Sequence, residues 1–107
     1  MGEDVYILEI YQDKEGNKPF VIWLDSLGDI TARAKIKVRL ARIRLGNLGD
    51  WKSLGGGLYE MRIDQGAGYR LYFTQASNRK IIILGGNKKT QSKDINKARQ
   101  CLKNYRS

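Results

Sequence analysis

The chain has 107 residues and a formal net charge of +9, from 20 Lys/Arg against 11 Asp/Glu, which leaves room for one domain with one modest core. Its longest apolar run, Ile81–Leu84, is too short to span a bilayer, and the acidic start Met1–Gly2–Glu3–Asp4 has no signal-peptide pattern. Cys101 is the only cysteine and there is no histidine, which excludes a disulfide framework, a Ser–His–Asp triad, a Cys–His pair and a zinc site. The expectation is a single soluble cytoplasmic domain over residues 1–107, with no cofactor, no metal and no membrane partner. Cys101 reads as a small buried side chain on a terminal helix.

The charge is unevenly spread. Residues 1–29 hold two Lys/Arg against seven Asp/Glu, residues 30–64 hold eight against three, and residues 65–107 hold ten against Asp94 alone. A field this lopsided attracts polyanions, nucleic acid first and an acidic protein segment second.

In chain order, Val5–Tyr11 is β-rich and predicts a strand, and Asp13–Lys18 a polar turn. Pro19 suits the first position of a short helix to Leu27, with Phe20, Trp23, Leu24 and Leu27 on one stripe. Gly28 ends it, and Asp29 can cap the next helix. Over Ile30–Leu45, Ile36, Val38 and Leu40 alternate like a strand. Yet Ile30, Ala34, Val38, Ala41, Leu45 and Leu48 step by 4, 4, 3, 4 and 3, and Ala32, Ile36, Leu40 and Ile43 make a second helical stripe. Helix is the better fit. Two stripes predict contacts on two sides, with the first helix and with the sheet. Most of its basic residues (Arg33, Lys35, Lys37, Arg39, Arg42, Arg44) read as solvated charge. After a Gly-rich bend, Leu54–Gly57, three strands follow at Leu58–Asp64, Tyr69–Gln75 and Lys80–Leu84. A last helix spans Asp94–Tyr105. The order β-α-α-β-β-β-α predicts an α+β domain with helices packed on a mainly antiparallel four-stranded sheet.

In the second strand Tyr59, Met61 and Ile63 share one face; in the third, Tyr69, Leu71 and Phe73 do. Placing both sets against one core pairs Arg62 with Arg70 or Tyr72, across an odd-length loop such as Gln65–Gly66–Ala67. Two arginines then stand side by side near Glu60 and Tyr72. Like charges so placed call for an anion. Glu60 is one candidate, giving a purely structural ion-pair cluster; a bound phosphate is the other. Gly85–Gly86–Asn87–Lys88–Lys89–Thr90 reads as a backbone cradle for an anion at the sheet edge, without the spacing of a P-loop or a dinucleotide fingerprint. With no histidine and few clustered acids, the remaining chemistry is cleavage of RNA by its own 2′-OH. That reaction needs a proton acceptor, a proton donor and cations on the transition state.

The stretches Leu54–Ile63, Gly68–Phe73 and Ile82–Gln91, followed by Asp94–Ile95 and Ala98, resemble the addiction-module killer proteins of the RelE/HigB/ParE toxin superfamily of type II toxin–antitoxin systems. The resemblance implies the RelE-like fold and an mRNA endonuclease, typically ribosome-dependent, restrained by a helix-turn-helix antitoxin. It matches Arg70 to the arginine at the scissile phosphate and Lys88–Lys89 to a basic pair after the last strand. Lys52 matches a basic residue ahead of the second strand, and Arg62 and Glu60 fall where catalytic or RNA-binding side chains occur. The expected catalytic set is Arg70, Arg62, Lys88 and Glu60, and the expected RNA-binding set is Lys52, Lys89, Tyr72 and Lys93. The tyrosine or histidine that RelE-like members often carry after the basic pair is missing between Thr90 and Ile95. A ParE-like gyrase inhibitor and an inactive nucleic-acid- or antitoxin-binding protein are the competing readings.

Overall fold

The computed structural model describes residues 5–107; the acidic start Met1–Asp4, read above for its lack of a signal peptide, lies outside them. Strand β1 (Ile7–Ile10) leads to helices α1 (Pro19–Ser26) and α2 (Ile30–Arg44), then to β2 (Trp51–Gly55), β3 (Leu58–Ile63), β4 (Tyr69–Ala76) and β5 (Arg79–Asn87). A 3-10 turn, Lys88–Thr90, then feeds α3 (Gln91–Arg106). The sheet is five-stranded, in the order β1-β5-β4-β3-β2. β1 runs parallel to β5, and the other three pairings are antiparallel.

The expected four-stranded sheet is therefore corrected to a mixed five-stranded one. The added strand is β2, which begins at Trp51 and ends at the positive-φ Gly55. It is an edge strand exposed over most of its length, so it lacks the alternation that marks a half-buried strand. The single core was a second simplification. Met61, Ile63, Tyr69, Leu71, Phe73 and Ile82 pack with Phe20, Leu24, Ala32, Ile36 and Ile43 of α1 and α2. Leu58, Tyr72, Ile81, Ile83 and Leu84 pack with Ala98, Cys101 and Leu102 of α3. The sheet is thus covered on both faces, which explains the unbroken apolar run Ile81–Leu84. A register shift opposite Tyr72 and Phe73 lets Ile83 and Leu84 both join the α3-side core.

Local chemistry fixes the helix starts. Pro19 opens α1, and the Asp29 carboxylate accepts from the Ala32 amide at 3.0 Å to cap α2. α3 starts at Gln91 rather than at Asp94, because Asn87 and Thr90 form a reciprocal capping box around the 3-10 turn. Of the two stripes on α2, Ala32, Ile36 and Ile43 are buried, whereas Ile30, Ala34, Val38, Ala41 and Leu45 are exposed. The expectation that both stripes are covered is corrected accordingly. No described helix is long and apolar enough to cross a membrane.

Candidate functional site

Glu60, Arg62, Arg70 and Tyr72 lie on the α3 side of the central strands, away from α1 and α2. The register sets Arg62 opposite Arg70 and Glu60 opposite Tyr72. Ile63 pairs with Tyr69, so the connecting loop is odd in length, as reasoned, but has five residues, Asp64–Gly68. Gly66 and Gly68 supply its positive φ values of 53° and 74°.

The two arginines do not share one anion. Arg62 Nε donates to Asp50 Oδ2 at 3.0 Å, a pair with both side chains more than half exposed. Arg70 is 11% exposed, and its Nε lies 3.6 Å from Oε2 of the fully buried Glu60. Glu60 is also 3.9 Å from Lys52 Nζ and accepts from Gln91 Nε2 at 2.8 Å. The Arg70 fork is oriented a second time by donation from Nη1 to Gly68 O at 3.0 Å. Glu60 is thus the hub that fixes Arg70, Lys52 and the start of α3. Its carboxylate has no exposed surface, so it acts on these side chains rather than on a ligand.

Tyr72 is completely buried, which corrects its expected RNA contact: no ring face is open for a base to stack on. Burial first, then the adjacent Glu60 carboxylate, push its phenol well above the ordinary range. It remains a neutral wall behind Glu60.

The Gly85–Gly86 cradle is also corrected. Both glycines belong to β5 and are buried. A Cβ on Gly85 would strike the Trp23 ring, and one on Gly86 the Asp94 carboxylate. They are glycines because α1 and α3 crowd the strand from its two faces. Lys88 and Lys89 follow on the exposed 3-10 turn. A Cβ on Gly68 would lie 3.7 Å from Lys88 Cβ and 3.9 Å from Arg70 Nη1, so Lys88 and Arg70 both flank Gly68. Lys93 is separate. It lines a cleft of about 730 Å³ between α1 and α3 with Lys97, Asp13 and Glu15, so acids of the first third sit beside it.

A smaller cleft, about 300 Å³, is lined by Asp50, Arg62, Asp64, Gly68, Tyr69 and Arg70. It brings both arginines to one opening. Sequence reasoning missed Asp50, which lines it, and Gln91 and Arg39, which hold Glu60 and the Asp50 and Arg62 backbone. Arg39 of α2 donates from Nη1 to Arg62 O at 2.9 Å and from Nη2 to Leu48 O and Asp50 O at 3.1 and 3.3 Å. It pins the loop that carries Asp50 against the strand that carries Arg62. Burial lowers its pKa, with Asp50 opposing the shift. Nothing in the helical pattern separates it from its solvated neighbours. Among the described residues, no group of three or more His, Cys, Asp or Glu converges as a metal site would require.

An uncharacterized protein from Haemophilus influenzae (strain ATCC 51907 / DSM 11121 / KW20 / Rd) is 46% identical over 81 residues, covering 75% of this chain and 82% of that protein. Residues 23–103, from α1 through most of α3, match the family described as phage derived protein Gp49-like. The chain belongs to this Gp49-like family, a toxin-like family of addiction modules whose members imply an antitoxin partner.

Proposed function

We propose that the protein is the toxin of a type II toxin–antitoxin module and a metal-independent endoribonuclease of the RelE/HigB/ParE superfamily, acting on mRNA at the ribosome. The observation that carries this reading is the pairing of Arg62 with Arg70 at the mouth of one cleft, with Lys88 near Gly68 of the same cleft and Lys52 beside Glu60. Two guanidiniums spaced across adjacent strands suit a phosphate bearing extra negative charge in the transition state.

In the proposed reaction the ribose 2′-oxygen attacks the adjacent phosphorus and the bond from phosphorus to the 5′-oxygen breaks. The products are a 2′,3′-cyclic phosphate and a free 5′-OH. The 2′-OH gives up its proton to solvent water, and the leaving 5′-oxygen gains one from the exposed ammonium groups of Lys52 and Lys88, which are donors only. Arg70 and Arg62 hold the phosphate. Glu60 is a positioning residue, because it holds Arg70 and Lys52 while remaining sealed from solvent. Lys89 adds phosphate contacts along the same rim, and Lys93 serves RNA only where the strand runs on towards the α1–α3 cleft.

One observation favours a second reading. Arg70 is already ion-paired and nearly buried, as suits a binding surface without cleavage chemistry, in a ParE-like gyrase inhibitor or an inactive nucleic-acid-binding protein. Inducing the protein in cells and mapping mRNA 5′ ends on arrested ribosomes separates the readings. Codon-phased cleavage supports the endonuclease. Gyrase-trapped DNA breaks, or arrest with intact mRNA, contradict it.

A further inference from the structure

Helix α2 has two apolar stripes, and the fold uses one. Ala32, Ile36 and Ile43 face the core. On the other side Ile30 is 77% exposed, Val38 50% and Leu45 56%, with Ala34 and Ala41 exposed between them. At 3.6 residues per turn these five fall within an arc of about 80°, diametrically opposite the buried stripe. The alanines form a shallow saddle between larger side chains. Val5 extends the patch past the end of the helix: it is 55% exposed, its amide donates to Arg44 O at 2.7 Å, and its side chain lies 3.5 Å from where a Cβ on Gly46 would be.

The helix positions that border this stripe are basic, and the exposed Asp64 after β3 lies near one border, in a groove it lines with Lys35, Val38 and Arg42. Lys37 and Arg44 border one side and Lys35 and Arg42 the other; all four are exposed, and α2 contains no acid. None of the four has an ion-pair partner among the described residues. A second copy of the chain would oppose these cations with its own, so self-association through α2 is disfavoured. An amphipathic helix with an apolar stripe and acidic margins matches both features. The apolar stripe runs about 22 Å, the length of about 15 helical residues.

We propose that the outward face of α2 is the docking surface for an acidic amphipathic helix of a partner protein. Resting on the toxin reading above, that helix belongs to the antitoxin. α2 covers the sheet face opposite Arg62 and Arg70, and the groove along its Lys35–Arg42 border shares Ile63 and Asp64 with the arginine cleft, so the docked helix reaches the rim of that cleft without filling it. Restraint of the toxin then comes from bulk and negative charge that keep it from its target, not from plugging the site.

The test uses a synthetic 16-residue helical peptide with a leucine stripe and glutamates on both margins, titrated into the full-length protein by calorimetry. Binding is expected, weakened at least tenfold in Val38→Ser/Leu45→Ser and in Lys35→Glu/Arg42→Glu. Both variants change exposed residues, and an unchanged melting temperature checks their fold. Arg62→Ala should bind the peptide like the wild type. Absence of binding, equal binding by all variants, or equal binding of a lysine-margined peptide overturns the proposal. So does a preference for vesicles of anionic lipid over the peptide, lost in the same variants, because the face is then a membrane surface. The peptide assay does not depend on toxicity, so a harmless protein that binds the peptide would defeat only the toxin reading.

Discussion

Arg70 stands beside a carboxylate that solvent cannot reach: its Nε lies 3.6 Å from Oε2 of Glu60, whose side chain is fully buried. Arg62, directly opposite on the neighbouring strand, pairs instead with the exposed Asp50. Two arginines that look equivalent by register thus differ in kind. One is anchored to a buried carboxylate yet still lines the cleft, and the other sits in an exposed pair at the same opening.

Arg70→Ala is therefore not a clean test of activity. Removing the guanidinium leaves Glu60 with Lys52 and Gln91 alone, and orphaning a buried charge costs about 3 kcal/mol. Urea unfolding should show a loss of that order. Adding Glu60→Gln should restore much of the stability without restoring activity. Simple additivity of the two substitutions would contradict the coupling.

Arg62→Ala is the cleaner substitution. Its ion pair is exposed, and such pairs contribute about 0–1 kcal/mol, so the melting temperature should barely change. RNA affinity should fall, and the slope of log affinity against log salt should become shallower by about one phosphate contact. Filter binding at several salt concentrations measures both.

Gly85→Ala should destabilise the fold by about 1–3 kcal/mol, because the added methyl meets the Trp23 ring on a packed strand. Trp23→Leu in the same chain should recover part of the loss. Full stability of Gly85→Ala alone would show that α1 does not press on β5 as described.

The thiol of Cys101 is buried, and burial pushes its pKa up, with Lys97 opposing the shift. The unfolded thiol ionises first as pH rises, so this group's contribution to stability declines as pH passes about 8.5, the midpoint of an ordinary thiol. At pH 8, alkylation by iodoacetamide should be much slower in the native protein than in urea. Equal rates would contradict the burial of this side chain.

The central hairpin was legible because alternation in Leu58–Ile63 and Tyr69–Phe73 leaves only registers that set Arg62 opposite Arg70 or Tyr72, and the structure takes the first. The helices were legible from Pro19, Asp29 and their apolar stripes. What sequence could not reveal depends on approach between distant elements. Gly85 and Gly86 look like an anion cradle until Trp23 and Asp94 are seen against them. Tyr72 alternates onto what looks like a polar face, but α3 covers that face. Part of the basic excess is also structural. Arg99 donates to Gly55 O and Leu54 O at 3.1 and 2.8 Å, and Arg106 donates to Gly56 O at 2.9 Å. These side chains bind the carbonyls of the β2–β3 turn, a use that charge counting cannot distinguish from affinity for RNA.

The most direct measurement is cleavage of a translated mRNA on ribosomes in their ordinary magnesium buffer, by purified protein pre-treated with EDTA and then freed of the chelator, with chemical analysis of the new ends. The account predicts cleavage that persists when the protein is pre-treated with chelator, leaves 2′,3′-cyclic phosphate and 5′-OH ends, and falls on the order of 100- to 1000-fold in Arg62→Ala/Lys88→Ala. Ends bearing a 5′-phosphate, or undiminished cleavage by that folded double variant, would contradict it.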